Sequence, residues 1–143
     1  MILAFDTDTF SLLLRGHPRV AARYRESVAA DEHGYGVPAV VRIELLEGRF
    51  ARVTKAADGG ELLLAYDLLV RTEAAIATYP ILPVTQAVGD HYSRFRRDKK
   101  FKKMGAKDLL IACIALAHNA ALVTRNTKDF ASVPGLKLEN WAD

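Results

Sequence analysis

MILAFDTDTF, residues 1–10, is the stretch whose reading decides the fold. Ile2, Leu3, Ala4 and Phe5 form a short apolar run with β-branched and aromatic members, which predicts a buried strand. Asp6-Thr7-Asp8-Thr9 follows at once, and Phe10 with Leu12 to Leu14 then predicts a short helix over Thr9–Leu14. A buried strand that stops on carboxylates and hydroxyls, just before a helix, is the layout of an α/β site. In open α/β sheets ligands bind beyond the carboxyl ends of the strands. Capping of the helix explains one polar residue here. It does not require two aspartates in three positions.

The same alternation continues along the chain. Gly16-His17-Pro18 closes the first helix, and Pro18 suits the first turn of a second, with Val20, Ala21, Tyr24 and Val28 at helical spacing. Gly34 and Gly36 break that pattern, so Val37–Val41 is expected as the second strand, with a helix over Arg42–Ala51. Asp58-Gly59-Gly60 marks a turn before an amphipathic helix over Glu61–Thr78. The expected core face of that helix is Leu62, Leu63, Tyr66, Leu69, Val70 and Ile76. Ile81–Val84 predicts a third strand, and Thr85 the cap of a helix running to Arg97. Ala106–His118 is nearly hydrophobic all round and predicts a central, buried helix. Ala120–Thr124 reads as a fourth strand and Leu136–Glu139 as a short fifth. Strands alternating with helices argue for an α/β fold, with one parallel sheet covered on both faces. No repeat or linker interrupts residues 1–143, so a single domain is expected.

Half of the 143 residues are hydrophobic, which excludes disorder and allows a sizeable core. The longest apolar runs, such as Leu109–Ala117, are too short to span a bilayer. Ile2–Phe5 is also too short, and lacks the basic start, for a signal peptide. A cytoplasmic location without a membrane partner is the expectation. Cys113 is the single cysteine, which excludes an internal disulfide and a cysteine zinc cage.

The net charge of +3 is unevenly spread. Eight of the 20 basic residues and one acid, Asp98, fall between Arg94 and Lys107, so that window carries +7 and the remainder −4. Phe95 and Phe101 are interleaved. Such a patch suits a phosphate backbone, and Arg96, Arg97, Lys99, Lys100, Lys102 and Lys103 are the candidate contacts to it. A charge run alone is more simply a solvated helix end and loop. It gains meaning only beside an acidic nuclease site.

Four positions supply such a site. Asp6 ends the first strand, Glu44 is expected in the first turn of the helix after the second, and Asp108 lies in the first turn of the buried helix. Asn126, with Asp129 three residues on, follows the fourth strand. Each acid alone is explained by the positive end of a helix dipole. Parallel strands, however, deliver their carboxyl ends to one edge, where the acids would converge and repel one another unless a cation joined them. The all-oxygen set favours Mg²⁺ or Mn²⁺, and the four histidines show no metal spacing. A metal of this kind generates a nucleophilic water and stabilises the leaving oxygen of a phosphoryl displacement. Carboxylates beside a basic segment therefore point to phosphodiester hydrolysis.

Three segments carry a resemblance: ILAFDTDTFSLLLRG at the start, VPAVVRIELLEG in the middle and MGAKDLLIACIALAHNAALVTRNTKDFASVPGL near the end. The chain resembles the PIN-domain ribonucleases, specifically the VapC-type toxins of toxin–antitoxin pairs, over essentially its whole length. The resemblance implies a three-layer α/β/α sandwich with a five-stranded parallel sheet. It also implies an Mg²⁺- or Mn²⁺-dependent cut in single-stranded or loop RNA, a homodimer, and a small VapB-type antitoxin that blocks the cleft. It makes Asp6 and Asp108 the primary metal ligands, with Glu44 helping to hold the metal or its water, and these three the catalytic residues. Relatives often carry an aspartate where this chain has Asn126, whose carbonyl oxygen still coordinates but brings no charge; Asp129 would compensate if the loop turned it inward. Thr7 and Thr124 match hydroxyls that orient the carboxylates, and Asp8 is expected to cap the first helix or steady the loop.

Two rivals stay open at this point. A haloacid-dehalogenase-like phosphohydrolase also opens on a strand ending in Asp6-x-Asp8, with Asp6 as nucleophile. That motif wants Thr or Val where this chain has Phe10, and only 19 residues follow Thr124 to supply its remaining parts. A PIN-like module that binds RNA or protein without cutting is the other, favoured by Asn126 and opposed by the three acids.

Overall fold

Ile2–Phe5 pairs on both of its edges and forms the middle of the sheet. The computed structural model describes all 143 residues. In chain order the elements are β1 (Ile2–Phe5), α1 (Thr7–Leu14), α2 (Pro18–Ala30), β2 (Gly34–Pro38), α3 (Ala39–Thr54), α4 (Gly59–Ile76) and β3 (Ile81–Leu82). They continue with α5 (Gln86–Arg97), a 3₁₀ turn (Lys99–Phe101), α6 (Ala106–Ala117), β4 (Ala120–Val123), α7 (Thr127–Phe130) and β5 (Leu138–Glu139). The five strands lie in the order β3-β2-β1-β4-β5, every pair parallel.

Successive strand residues face opposite sides of a sheet, yet Leu3, Ala4 and Phe5 are all buried, as are all four residues of β4. Helices must therefore cover both faces, giving the three-layer α/β/α sandwich. Phe5 anchors one layer: its ring stacks on Phe10 and Tyr35 and meets Tyr24 and Trp141 edge-on. That cluster ties α1, α2, β2 and the C-terminus to the first strand. As expected, α6 is the buried helix, with Leu109 and every residue from Ile111 to Ala115 in the core.

The strand order reverses beside β1. The chain moves to β2 and β3 on one side and to β4 and β5 on the other, so a crevice opens at the carboxyl ends of β1 and β4. Ligands of doubly wound sheets bind at such a switch point.

Two expectations are corrected. The second strand is Gly34–Pro38, not Val37–Val41, and α3 begins at Ala39. The glycines belong to the strand because Leu82 from β3 packs against Gly36, where a Cβ would lie 2.6 Å from the Leu82 Cγ. Val40 and Val41 extend the apolar run into the helix, and periodicity cannot separate a strand from a buried helical turn over so few residues. The second correction concerns α4. It buries Ala65, Thr72 and Ile76 and leaves Leu62, Leu63, Tyr66 and Val70 exposed, with Leu63 at 72% and Leu64 at 74%. Its small residues face α3, against which it packs.

Candidate active site

The cleft is built from the ends of β1 and β4 and from the helices that follow. The backbone N–H of Asp6 donates to the Val123 carbonyl at 3.2 Å, extending the β1–β4 ladder by one residue and fixing where the side chain emerges. Asp6 is 7% exposed. Its Oδ1 accepts from the Thr9 N–H at 2.8 Å, so Asp6 itself is the N-cap of α1. Its Oδ2 accepts from the fully buried Thr124 Oγ1 at 2.5 Å. Thr124 Oγ1 in turn accepts from the Asn126 N–H at 2.9 Å, which holds the loop after β4 against the first acid. The capping role expected of Asp8 thus falls to Asp6, because α1 starts two residues earlier than its apolar pattern indicates. Asp8 is exposed in the first turn and faces the same cleft.

Glu44 arrives from α3. With that helix starting at Ala39, Glu44 sits in its second turn rather than its first, and no acid occupies the first turn. It is placed instead by side chains: Thr7 Oγ1 donates to Oε1 and the Lys107 ammonium lies 3.3 Å from Oε2. Asp108 lies in the first turn of α6, where the helix dipole favours a negative charge. A cavity of about 230 Å³ brings Asp6, Thr7, Asp8, Glu44, Asp108 and Asn126 together. Asp129 does not line it. Asp129 lies across Asp108, on an adjoining cavity, while Asn126 makes no capping bond and turns toward the acids.

Burial, and after it charge repulsion, acts on these groups. Burial, and then the charges of Asp6, Glu44, Asp129 and Asp8, push the Asp108 carboxyl above its ordinary 3.8. Burial raises Asp6 as well, against the lowering effect of its bonds from Thr124 and Thr9. No three His, Cys, Asp or Glu side chains close on a common point by themselves. Mg²⁺ keeps several waters and is held by a few carboxylates together with substrate phosphate. The donors present, oxygens of mutually repelling acids, fit Mg²⁺ or Mn²⁺.

Of the six basic candidates, Lys100 and Lys103 line the cavity next to Asp108, whereas Arg96, Arg97, Lys99 and Lys102 are exposed and line neither cavity. Two cations went unassigned in the sequence. Lys107 was counted in the basic run, but its partner Glu44 is 63 residues away in the chain. Lys128 lies outside the run and lines the same cavity from α7. No helix is long and apolar enough to cross a membrane.

Comparison with known proteins bears on the fold and the family. Residues 3–136 match the PIN domain family. Ribonuclease VapC1 of Haemophilus influenzae (strain R2866) is 28% identical over 143 residues, 99% of this chain and 98% of the relative. The structure of VapBC-1 from nontypeable Haemophilus influenzae superposes with a TM-score of 0.78 at 25% identity, covering both chains completely. A toxin–antitoxin complex from Klebsiella pneumoniae aligns at a TM-score of 0.64 and 25% identity over 94% of each chain. A match of this extent sets the dehalogenase-like alternative aside. From the strand order, the cleft at its switch point and the match over residues 3–136, the chain belongs to the PIN domain family.

Proposed function

We propose that this protein is a metal-dependent endoribonuclease that acts in the cytoplasm as the toxin of a toxin–antitoxin pair. One observation carries the reading: Asp6, Glu44 and Asp108, from three separated parts of the chain, line one cleft at the carboxyl edge of a parallel sheet. The similarity to a ribonuclease over the whole chain supports it. Asp6 and Asp108 would hold Mg²⁺ or Mn²⁺, with Glu44 and the Asn126 carbonyl at its margin and Asp129 beyond Asp108. Bound there, the metal supplies a water of lowered pKa and neutralises charge on the cleaved phosphate.

The chain's own residues set the geometry. Thr124 and the Thr9 N–H fix both oxygens of Asp6, and Thr7 fixes one oxygen of Glu44. Lys107 holds the other and offsets part of the acids' charge. Arg96, Arg97, Lys99, Lys100, Lys102 and Lys103 attract the RNA backbone toward the cleft. A VapB-type antitoxin is the proposed partner of a homodimer. Ile43 and Phe50 on α3, with Leu63, Leu64 and Tyr66 on α4, are exposed and give a protein partner apolar side chains to cover.

The test is to map RNA 5′ ends in cells after induction of the protein and of Asp6→Ala. New ends made by the wild type and absent with the variant are expected. Cleavage that survives Asp6→Ala overturns the assignment, and a wild type that binds RNA without producing ends supports the non-cutting module.

A further inference from the structure

Beside the acid cleft lies a larger cavity of about 360 Å³, lined by nine residues. It shares Asp108 with the cleft, so the two form neighbouring chambers on either side of one carboxylate. Three lysines line it: Lys100 and Lys103 from the segment that follows α5, and Lys128 from α7. Against them stand Asp108 and Asp129, the first already committed to the acid cleft.

These lysines are mounted on anchored turns. Asp98 Oδ1 accepts from the Lys100 N–H at 2.9 Å, and the Phe101 ring is buried edge-to-face against Phe95 at 4.9 Å. Lys100 and Lys103 therefore flank a fixed aromatic. Across the cavity Phe130 is 1% exposed and pins α7, and Ser132 Oγ donates to the Asp129 carbonyl at 3.1 Å. Within the basic segment, Lys100 and Lys103 line the cavity and the other lysines and arginines do not.

We infer that this cavity is a subsite for the nucleotide next to the cleaved bond, with Lys100, Lys103 and Lys128 holding its phosphate. The inference rests on the nuclease reading and deepens it. The volume lies at the lower end of the range for small-ligand sites, roughly 300–1,000 Å³, which is room for one nucleotide unit. Only Phe101 and Met104 among the lining residues are hydrophobic, and Phe101 is buried, so there is no open ring on which a base could stack. The cavity therefore takes the ribose and phosphate and tolerates any base. Phosphate contacts set register and carry no sequence information.

The test uses Asp6→Asn protein, which by the nuclease reading leaves RNA uncut, and a fluorescein-labelled single-stranded RNA of mixed sequence, about a dozen nucleotides long. In that background Lys100→Ala/Lys103→Ala/Lys128→Ala should weaken binding by on the order of tenfold or more, since charged hydrogen bonds to phosphate are lost. Arg25→Ala/Arg52→Ala/Lys55→Ala removes the same charge from exposed positions on α2, on α3 and just beyond α3, and should change it by no more than about twofold. Ser132→Phe fills the cavity without altering charge, and should weaken binding as the lysine triple does. Equal binding by the two triples, or unimpaired binding by Ser132→Phe, overturns the subsite. Failure of the nuclease reading is separately visible: the protein with Asp6 intact would then leave total RNA uncut.

Discussion

Replacing Thr124 by valine keeps the shape of a fully buried side chain and deletes one hydroxyl. That hydroxyl donates to Asp6 Oδ2 at 2.5 Å and accepts from the Asn126 N–H at 2.9 Å. A hydrogen bond to a charged group contributes about 1.5–3 kcal/mol, and the partly buried N–H left unpaired adds up to about 1 kcal/mol. The expected loss is therefore about 2–4 kcal/mol at neutral pH. At roughly 3 °C per kcal/mol for a chain of this size, Tm should fall by roughly 6–12 °C. Thr124→Ser keeps both bonds, gives up one buried methyl and should cost only about 1 kcal/mol.

The pH dependence follows from Asp6. Burial already holds its carboxyl above the ordinary 3.8, so the folded protein binds a proton that the unfolded chain has released. The stabilisation from that proton is complete below 3.8 and is lost as the pH rises through the folded value. Removing the Thr124 donor raises the folded value further. The deficit of Thr124→Val should thus be largest at neutral pH and shrink in acid. Urea unfolding at pH 7 and near pH 4, on both variants and in an Asp6→Asn background, measures this. A Thr124→Val protein that matches Thr124→Ser at pH 7, or a deficit unchanged by Asp6→Asn, refutes the idea that the hydroxyl serves the carboxylate.

Other outcomes follow from the same geometry. Asp108→Asn removes a carboxylate whose charged form is opposed by burial and by four other acids, Asp6, Glu44, Asp129 and Asp8. It should raise Tm at pH 7 when no metal is added, which differential scanning fluorimetry detects, and abolish RNA cleavage in a gel assay with Mg²⁺ present; a lower Tm contradicts the electrostatic account. Added Mg²⁺ or Mn²⁺ should raise the Tm of the wild type in proportion to the logarithm of its concentration, and do so much less in Asp108→Asn. Lys107→Met frees Glu44 and removes a cation beside the acids. This largely exposed pair contributes under about 1 kcal/mol, so stability should barely move, while Mn²⁺ titration should show tighter binding. Gly36→Ala drives a Cβ into the branch point of Leu82, 2.6 Å away, and should cost about 1–3 kcal/mol in urea unfolding. Leu82→Ala in the same chain should recover part of it.

Much of this protein was legible in its sequence. The apolar run Ile2–Phe5, the carboxylate that ends it and the nearly all-apolar α6 announce a parallel sheet with acids at one edge, because burial on both faces demands hydrophobic residues at every position. Asp6 and Asp108 could be placed at one sheet edge before any coordinates, since a strand end and a helix start are local signals, whereas Glu44 reaches the same cleft from the second turn of α3 and not the first. The register of β2 was not legible: Gly34 and Gly36 look like breakers until Leu82, almost fifty residues later, occupies the space a Cβ would fill. The exposed face of α4 was hidden for a related reason, because a small residue packs against α3 as well as a large one and periodicity alone cannot say which stripe wins.

Tertiary structure alone decided how each acid is held. Composition shows a threonine after β4 but not that its hydroxyl meets an aspartate 118 residues earlier, nor that Lys107 belongs to Glu44. It shows eight basic residues in one run but not that two of them join Lys128 around a cavity. Sequence spells out what each segment buries and where each strand stops. Which side chains then face one another depends on strand order and helix packing, and those are set by contacts between residues far apart in the chain.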